Sequence, residues 1–278
     1  SPRPVIDCDW QGEGFIITGG QTAACKISNV VVTNPIVGFR IENSSPTLQS
    51  IYMYYCQTDG IVCNNAEPTI SSMHVLHGHG CGLLCTGSDP AISSSEFSFN
   101  DGSGASLTSS SPSFIQCSFL GNGPAAMGGA VYLNGGSPVL TSCVFGGNSA
   151  GVGGAIAVTS GMVGLTGCRV TGNLATDGLT GGGGLWLGSG SAMIDISTFA
   201  RNDAFAGGAI YNEGGNLTVS RTILWGNCTS ALPGNDVWIA PGCQTDLSCC
   251  HIDAEGIQDA GGLIASHVVF LLDPNFCD

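Results

Sequence analysis

The chain has 278 residues, of which 9% are charged, with 20 acids against 6 Lys and Arg and a formal charge of −14. That balance disfavours nucleic acid and anionic membrane as partners, and no apolar run approaches the roughly 20 residues needed to span a bilayer. Its 44 glycines and 12 prolines do not follow the collagen period.

The opening stretch SPRPVIDC lacks a basic start and apolar core, so it reads as a chain already trimmed of an export signal. The 14 cysteines agree with an oxidising compartment, and an extracellular or cell-surface location is expected. Cys81 and Cys85 have no second pair with histidines at finger spacing, so structural zinc is not expected.

From the first coil onward the chain repeats. An apolar residue is followed three and five positions later by others: Ile27/Val30/Val32, Leu48/Ile51/Met53, Ile70/Met73/Val75, Ile92/Ser95/Phe97 and Phe114/Cys117/Phe119. The series continues through Leu140/Cys143/Phe145, Leu165/Cys168/Val170, Ile194/Ser197/Phe199, Val219/Thr222/Leu224 and Leu247/Cys250/Ile252. A second column runs from Phe15/Ile17 through Phe39/Ile41, Leu83/Cys85, Val131/Leu133 and Leu185/Leu187 to Val237/Ile239. Alternation over short segments bounded by Gly, Asn, Ser and Pro predicts strands. A repeat of about 22 to 29 residues cannot bury its apolar face alone, so successive repeats must stack in parallel, about 4.8 Å apart. The predicted fold is all-β, a parallel β-solenoid of about ten coils forming one domain over 1–278. It divides into an N-terminal coil at 1–21, regular coils at 22–240 and an irregular C-terminal coil and segment at 241–278.

A third column is polar. Asn100, Asn122, Asn148, Asn173, Asn202 and Asn227 each fall three residues after an apolar strand position, which predicts a stacked amide ladder along the axis. Cys117, Cys143 and Cys168, like Cys63 and Cys85, are predicted to point inward on successive coils, with bridges at most between neighbouring coils.

The strings SPSFIQCSFLGN, SPVLTSCVFGGNSAGVGGAI and STFARNDAFAGGAIYN resemble extracellular right-handed parallel β-helix proteins of the pectin-lyase-like class, with repeats of the polymorphic outer-membrane-protein type. VIDCDWQGEGFII and DPNFCD look like the opening and closing segments of that family. The resemblance implies a right-handed solenoid, an architecture that carries lyases, hydrolases, adhesins and fibres alike.

Catalytic signals are sparse. Glycosidic cleavage needs two carboxyl groups, yet no Asp, Glu, Lys or Arg occurs between Gly102 and Cys168. The carbohydrate-site candidates are the outward residues Tyr52, His74 and Glu96 on three consecutive coils. His77 and His79 read as turn histidines, and no metal site is assigned. No cofactor is expected, calcium in the TDG and NDGSG turns being the one option. Asn43 and Asn216 are the glycosylation candidates, whereas the third sequon residue, Asn227, belongs to the ladder.

The second strand column has an outward stripe with one charge, Arg40, and four aromatics, Tyr132, Trp186, Tyr211 and Trp238. An outward apolar stripe in water marks an interface, with another protomer, glycan or the chain's own C-terminal segment as cover. With no amphipathic cap at either end, the sequence predicts a non-enzymatic filament or surface-layer subunit that assembles head to tail with itself and carries or binds glycans. The alternative is a carbohydrate-binding or polysaccharide-degrading β-helix protein or adhesin.

Overall fold

The computed structural model describes residues 2–229, 236–253, 256–259, 263–266 and 268–271. Over these the chain winds as a parallel β-solenoid whose strands form sheets of 21, 11 and 5 members, with no helix. The largest sheet takes two strand segments from each coil, for example Ala91–Ser93 and Glu96–Ser98, which run together as one bent strand in Thr47–Tyr54 and Thr69–Leu76. The second takes one, such as Ala105–Thr108. Each strand pairs with its equivalents one coil away: Ile92 with Phe114, Phe97 with Phe119 and Leu107 with Leu133. All three pairs are inward and buried.

Corners are made by residues in the left-handed region. Ser50, Ser72, Ser94, Gln116 and Ser142 turn the chain between the two strands of the large sheet, with φ from 47° to 56°. Short polar side chains accept that geometry at low cost. From residue 125 onward a third, short strand is added per coil, beginning with Ala125–Met127 and Ser149–Val152. The GGA turns that follow lead back into the second sheet. Gly128, Gly153 and Gly207 have φ of 59°, 61° and 59°. A Cβ on the next glycine, Gly129, Gly154 or Gly208, would lie 2.5 Å from a backbone oxygen of the adjacent coil.

Inside, Phe97, Phe119 and Phe145 stack at 5.4 and 5.3 Å, and Phe114 packs edge-on against the first two. Beside them Cys117, Cys143 and Cys168 are buried, and their Sγ atoms donate to the carbonyls of Ile92, Phe114 and Leu140. Every described cysteine is a free thiol, which corrects the expectation of disulfides. The physical reason is the rung: equivalent positions about 4.8 Å apart exceed the Cβ separation of about 3.8 Å that a bridge needs. Where the same inward position is polar, it is bonded. Ser95 Oγ accepts from Met73 N, and Thr222 Oγ1 from Ser197 N.

The six asparagines form a continuous ladder. Each Oδ1 from Asn122 to Asn227 accepts both the backbone N–H and the Nδ2–H of the preceding asparagine, at 2.9 to 3.1 Å. The second Nδ2 hydrogen goes to a strand carbonyl, as in Asn148 to Phe119 O at 2.9 Å. At the far end Asn227 donates to Asp236 Oδ1 at 2.7 Å. The closing segment with DPNFCD lies outside the described residues.

Candidate functional site

The second strand of the large sheet points alternate residues outward, and the turn after it adds a third exposed position. This gives three parallel rows on one face. Strand register fixes the first as Val31, Tyr52, His74, Glu96, Ser118, Val144, and the middle one as Thr33, Tyr54, Leu76, Ser98, Leu120, Gly146. The turn row is Asn34, Tyr55, His77, Phe99, Gly121, Gly147, every member with positive φ.

The structure brings Tyr52, His74 and Glu96 together. The Tyr52 and His74 rings stack at 4.2 Å and 11°, and His74 Nδ1 lies 3.0 Å from Glu96 Oε2. The Arg3 guanidinium covers the other face of Tyr52, 4.1 Å from the ring centroid. With both ring faces of Tyr52 occupied, the stack presents edges and polar atoms outward.

A second stack runs alongside it in the turn row. Tyr55 and His77 lie 5.7 Å apart, and His77 and Phe99 5.3 Å apart. Tyr54 links the two stacks, 6.3 Å from Tyr52 and 6.2 Å from Tyr55. Tyr55, His77 and Phe99 have φ of 58°, 59° and 56°, a region that bulky residues rarely adopt. The other coils from Asn34 through Gly226 place Asn, Gly or, once, Arg201 there, so the aromatics are held at a conformational cost, and Tyr55 and Phe99 remain about half exposed. Between the two stacks lie Leu76 and Ser98. Ser98 Oγ is the one buried side-chain oxygen without a hydrogen-bond partner among the described residues.

His79 is separate. It pairs with Asp101 at 2.8 Å on the next corner, beside a cavity of about 400 Å³ lined by Cys81, Ser103, Met127 and Tyr132. Burial, followed by the Asp59 charge, pushes the Cys81 thiol up to about 11. Among the described residues no group of three or more His, Cys, Asp or Glu gathers to hold a metal.

The aromatic stripe is a different matter. Trp186 and Tyr211 are buried, 9% and 7% exposed, and pack with Val152, Ala157 and Ala206. Met127, Tyr132 and Trp238 flank that cluster. Trp186 Nε1 donates to Glu213 Oε2 at 2.9 Å, and Tyr211 stacks on Trp238 at 4.3 Å and 6°. The third sheet and its turns fold back over the stripe, so this chain supplies the cover from its middle coils. The stripe is therefore not a bare interface.

The glycosylation candidates are both exposed. Asn43 sits in a turn at φ 48°, and Asn216 opens the strand Asn216–Ser220 instead of lying in a turn. Asn227, 7% exposed, has its amide engaged in the ladder.

Comparison with known proteins gives a family match over residues 6–145 to the right-handed β-helix region. No curated protein sequence matches. Among solved structures the chain is similar to the catalytic domain of a GH87 alpha-1,3-glucanase in complex with tetrasaccharides, at 10% identity and a TM-score of 0.41. The match covers 92% of this chain and 50% of that one, so this chain spans about half its length. The expectation of a non-enzymatic, self-assembling filament subunit is corrected by the fold itself, because the aromatic surface it relied on is an intrachain contact. The match over half of the chain, together with the parallel coils, places this protein in the right-handed β-helix family.

Proposed function

We infer that the protein binds carbohydrate, with the contact surface on the three-row face around Tyr52, His74 and Glu96. The observation that carries this reading is the pair of stacks on consecutive coils, one of them held in left-handed turn geometry by three bulky side chains. Aromatic bodies with polar tips suit a ligand that offers apolar ring faces and hydroxyl groups together. His74 and Glu96 supply a donor and an acceptor side by side, and Arg3 fixes the outer end of the stack.

Hydrolysis by a carboxyl pair requires a second carboxyl within about 5 to 10 Å. Within two coils on either side of Glu96, the three rows carry no other acid. Binding, not turnover by such a pair, is the activity assigned to this face. The resemblance of SPSFIQCSFLGN and its neighbours to polymorphic outer-membrane-protein repeats extends the reading to a secreted or surface-displayed protein whose exposed Asn43 and Asn216 accept glycans.

A panel of immobilised oligosaccharides tests the site. Wild-type protein is expected to bind a subset of glycans, and Tyr52→Ala and Tyr55→Ala to lower affinity at least tenfold while circular dichroism stays unchanged. Binding that both variants retain in full moves the site off this face, and absence of binding to any glycan refutes the reading.

A further inference from the structure

The same face continues past the aromatic stacks. Beyond Phe99 the turn row becomes Gly121, Gly147 and Gly172, and the first and middle rows continue as Ser118, Leu120, Val144 and Gly146. Three coils beyond Glu96, about 14 Å along the axis, the first row reaches Arg169. One coil further the turn row reaches Arg201, and Trp225 follows in the middle row. Arg169, Thr171, Thr198, Arg201 and Trp225 line one cavity of about 450 Å³, within the size range of small-ligand pockets.

Two features set this cavity apart. The first is charge. In a protein with 20 acids and 6 Lys and Arg, two of the six line this pocket, and neither takes part in any of the four ion pairs among the described residues. The acids on the pocket's own coils are engaged or face elsewhere: Asp195 is held by Arg221, Glu213 by Trp186, and Asp203 belongs to the third sheet; the next acid in the rows is Asp253, one coil past Trp225. From Ser118 to Gly226 the three rows contain no acid.

The second feature is clearance. Arg201 occupies the left-handed turn position with φ 56°, where the coils on either side have Gly172 and Gly226. A Cβ at either glycine would meet nothing within 4 Å. The turn positions that flank Arg201 along the axis therefore carry no side chain and have open space above them.

We propose that this cavity is an anion-recognition subsite that takes the carboxylate or sulfate group of an acidic glycan lying along the face. The proposal rests on the glycan reading of that face and names the class of glycan. Guanidinium forks match planar carboxylate and tetrahedral sulfate oxygens through paired hydrogen bonds. The half-buried Trp225 offers an apolar wall to the sugar ring that bears the anion, and Thr171 and Thr198 offer hydroxyls to the rest. A glycan reaching from Glu96 to this pocket crosses a floor of small side chains, where nothing negative opposes it.

Affinity electrophoresis of the full chain through gels containing polygalacturonate, dextran sulfate or neutral dextran tests the assignment, with the Arg169→Gln/Arg201→Gln double variant, Arg221→Gln and Tyr52→Ala run alongside. Arg221 is exposed and already paired, so Arg221→Gln controls for loss of a cation alone. The expected result is retention by one acidic polymer at least tenfold stronger than by dextran, lost at least tenfold in the double variant and within twofold of wild type in Arg221→Gln. Which acidic polymer retains the protein separates carboxylate from sulfate. Wild-type retention in the double variant, or an equal loss in Arg221→Gln, overturns the proposal. Acidic binding lost in the double variant but untouched in Tyr52→Ala keeps the anion pocket and removes the aromatic stacks from the glycan site. Binding to dextran alone, weakened in Tyr52→Ala, does the reverse.

Discussion

Replacing Asn148 with alanine removes one rung from the middle of the amide ladder. Asn148 Oδ1 accepts the Asn122 backbone N–H and one Asn122 Nδ2 hydrogen, both at 3.0 Å, and its own Nδ2 donates to Phe119 O at 2.9 Å. The variant leaves the two Asn122 donors without partners at a site that is 0% exposed, while Phe119 O keeps the strand register with Gly146 N–H. Asn173 Oδ1 keeps the Asn148 backbone N–H at 3.0 Å and is not orphaned. At about 1 to 2 kcal/mol per buried unsatisfied group, the loss is about 2 to 4 kcal/mol. The control is Asn43→Gly. Asn43 is exposed at φ 48° and its backbone N–H bonds to Asn64 O, so glycine preserves both the geometry and the bond, and the expected change is within about 0.5 kcal/mol. Alanine at 43 is a poorer control, because the left-handed turn itself penalises a Cβ by roughly 1 to 2 kcal/mol. Urea unfolding followed by circular dichroism gives both numbers, and native-state hydrogen exchange reports the Asn122 amide directly. A loss below 1 kcal/mol at Asn148, with the Asn122 amide still protected, would refute the ladder as a source of stability.

The thiols and one surface ion pair give further tests. Cys228 and Cys249 are exposed, whereas Cys63, Cys85, Cys117, Cys143 and Cys168 are buried; iodoacetamide at pH 8 should therefore label the first two within minutes and the buried five only after denaturation, as read by peptide mass spectrometry. Burial holds the Cys56 thiol up at about 12, and the Cys117 and Cys168 thiols together with burial push Cys143 upward as well, so raising the pH to 9 should not open Cys56 or Cys143 to reagent. Arg221 and then Ser220 hold the Asp195 carboxyl below its usual range. Because the folded pKa is the lower one, the pair contributes above the unfolded value and is lost as pH falls through the folded value. The Asp195 carboxyl resonance should titrate at lower pH in wild type than in Arg221→Gln, and coincident midpoints would remove the pair.

What the sequence disclosed and what it hid have separate physical causes. The inward columns are legible because alternation over three to five residues is imposed by burial, and Ile92, Phe97 and Leu107 have no freedom to be polar. The asparagine column is legible because stacking demands the same residue at the same place in every coil. The third sheet is not legible: its strands read AAM, SAGV, LA, DA and CT, too short and too small-sided to show alternation. Missing it made Trp186 and Tyr211 look bare. Tyr52, His74 and Glu96 could be aligned from spacing, but the second stack was hidden because Tyr55, His77 and Phe99 sit in turn positions where side-chain type is usually uninformative. Their common interval, with Phe99 directly before ladder residue Asn100, is the signal that would have found them. Arg169 and Arg201 lie 32 residues apart with an inserted turn between them, and only strand register shows that they share a cavity.

Repetition itself separates scaffold from site in this protein. Where a row serves the coil, neighbouring coils carry like residues: asparagine over asparagine, phenylalanine over phenylalanine, cysteine over cysteine, and GGA over GGA. Each such rung is interchangeable with the next, because the same contact is being made again about 4.8 Å further along. The three-row face departs from this. Tyrosine, histidine and glutamate follow one another in its first row, aromatics yield to glycine and then to arginine in its turn row, and a tryptophan stands beside that arginine in its middle row. No stacking requirement of the solenoid selects that order, and the left-handed turn geometry works against much of it. Under the proposed function that variation is matched by a linear ligand of unlike units, whose geometry runs in the same direction.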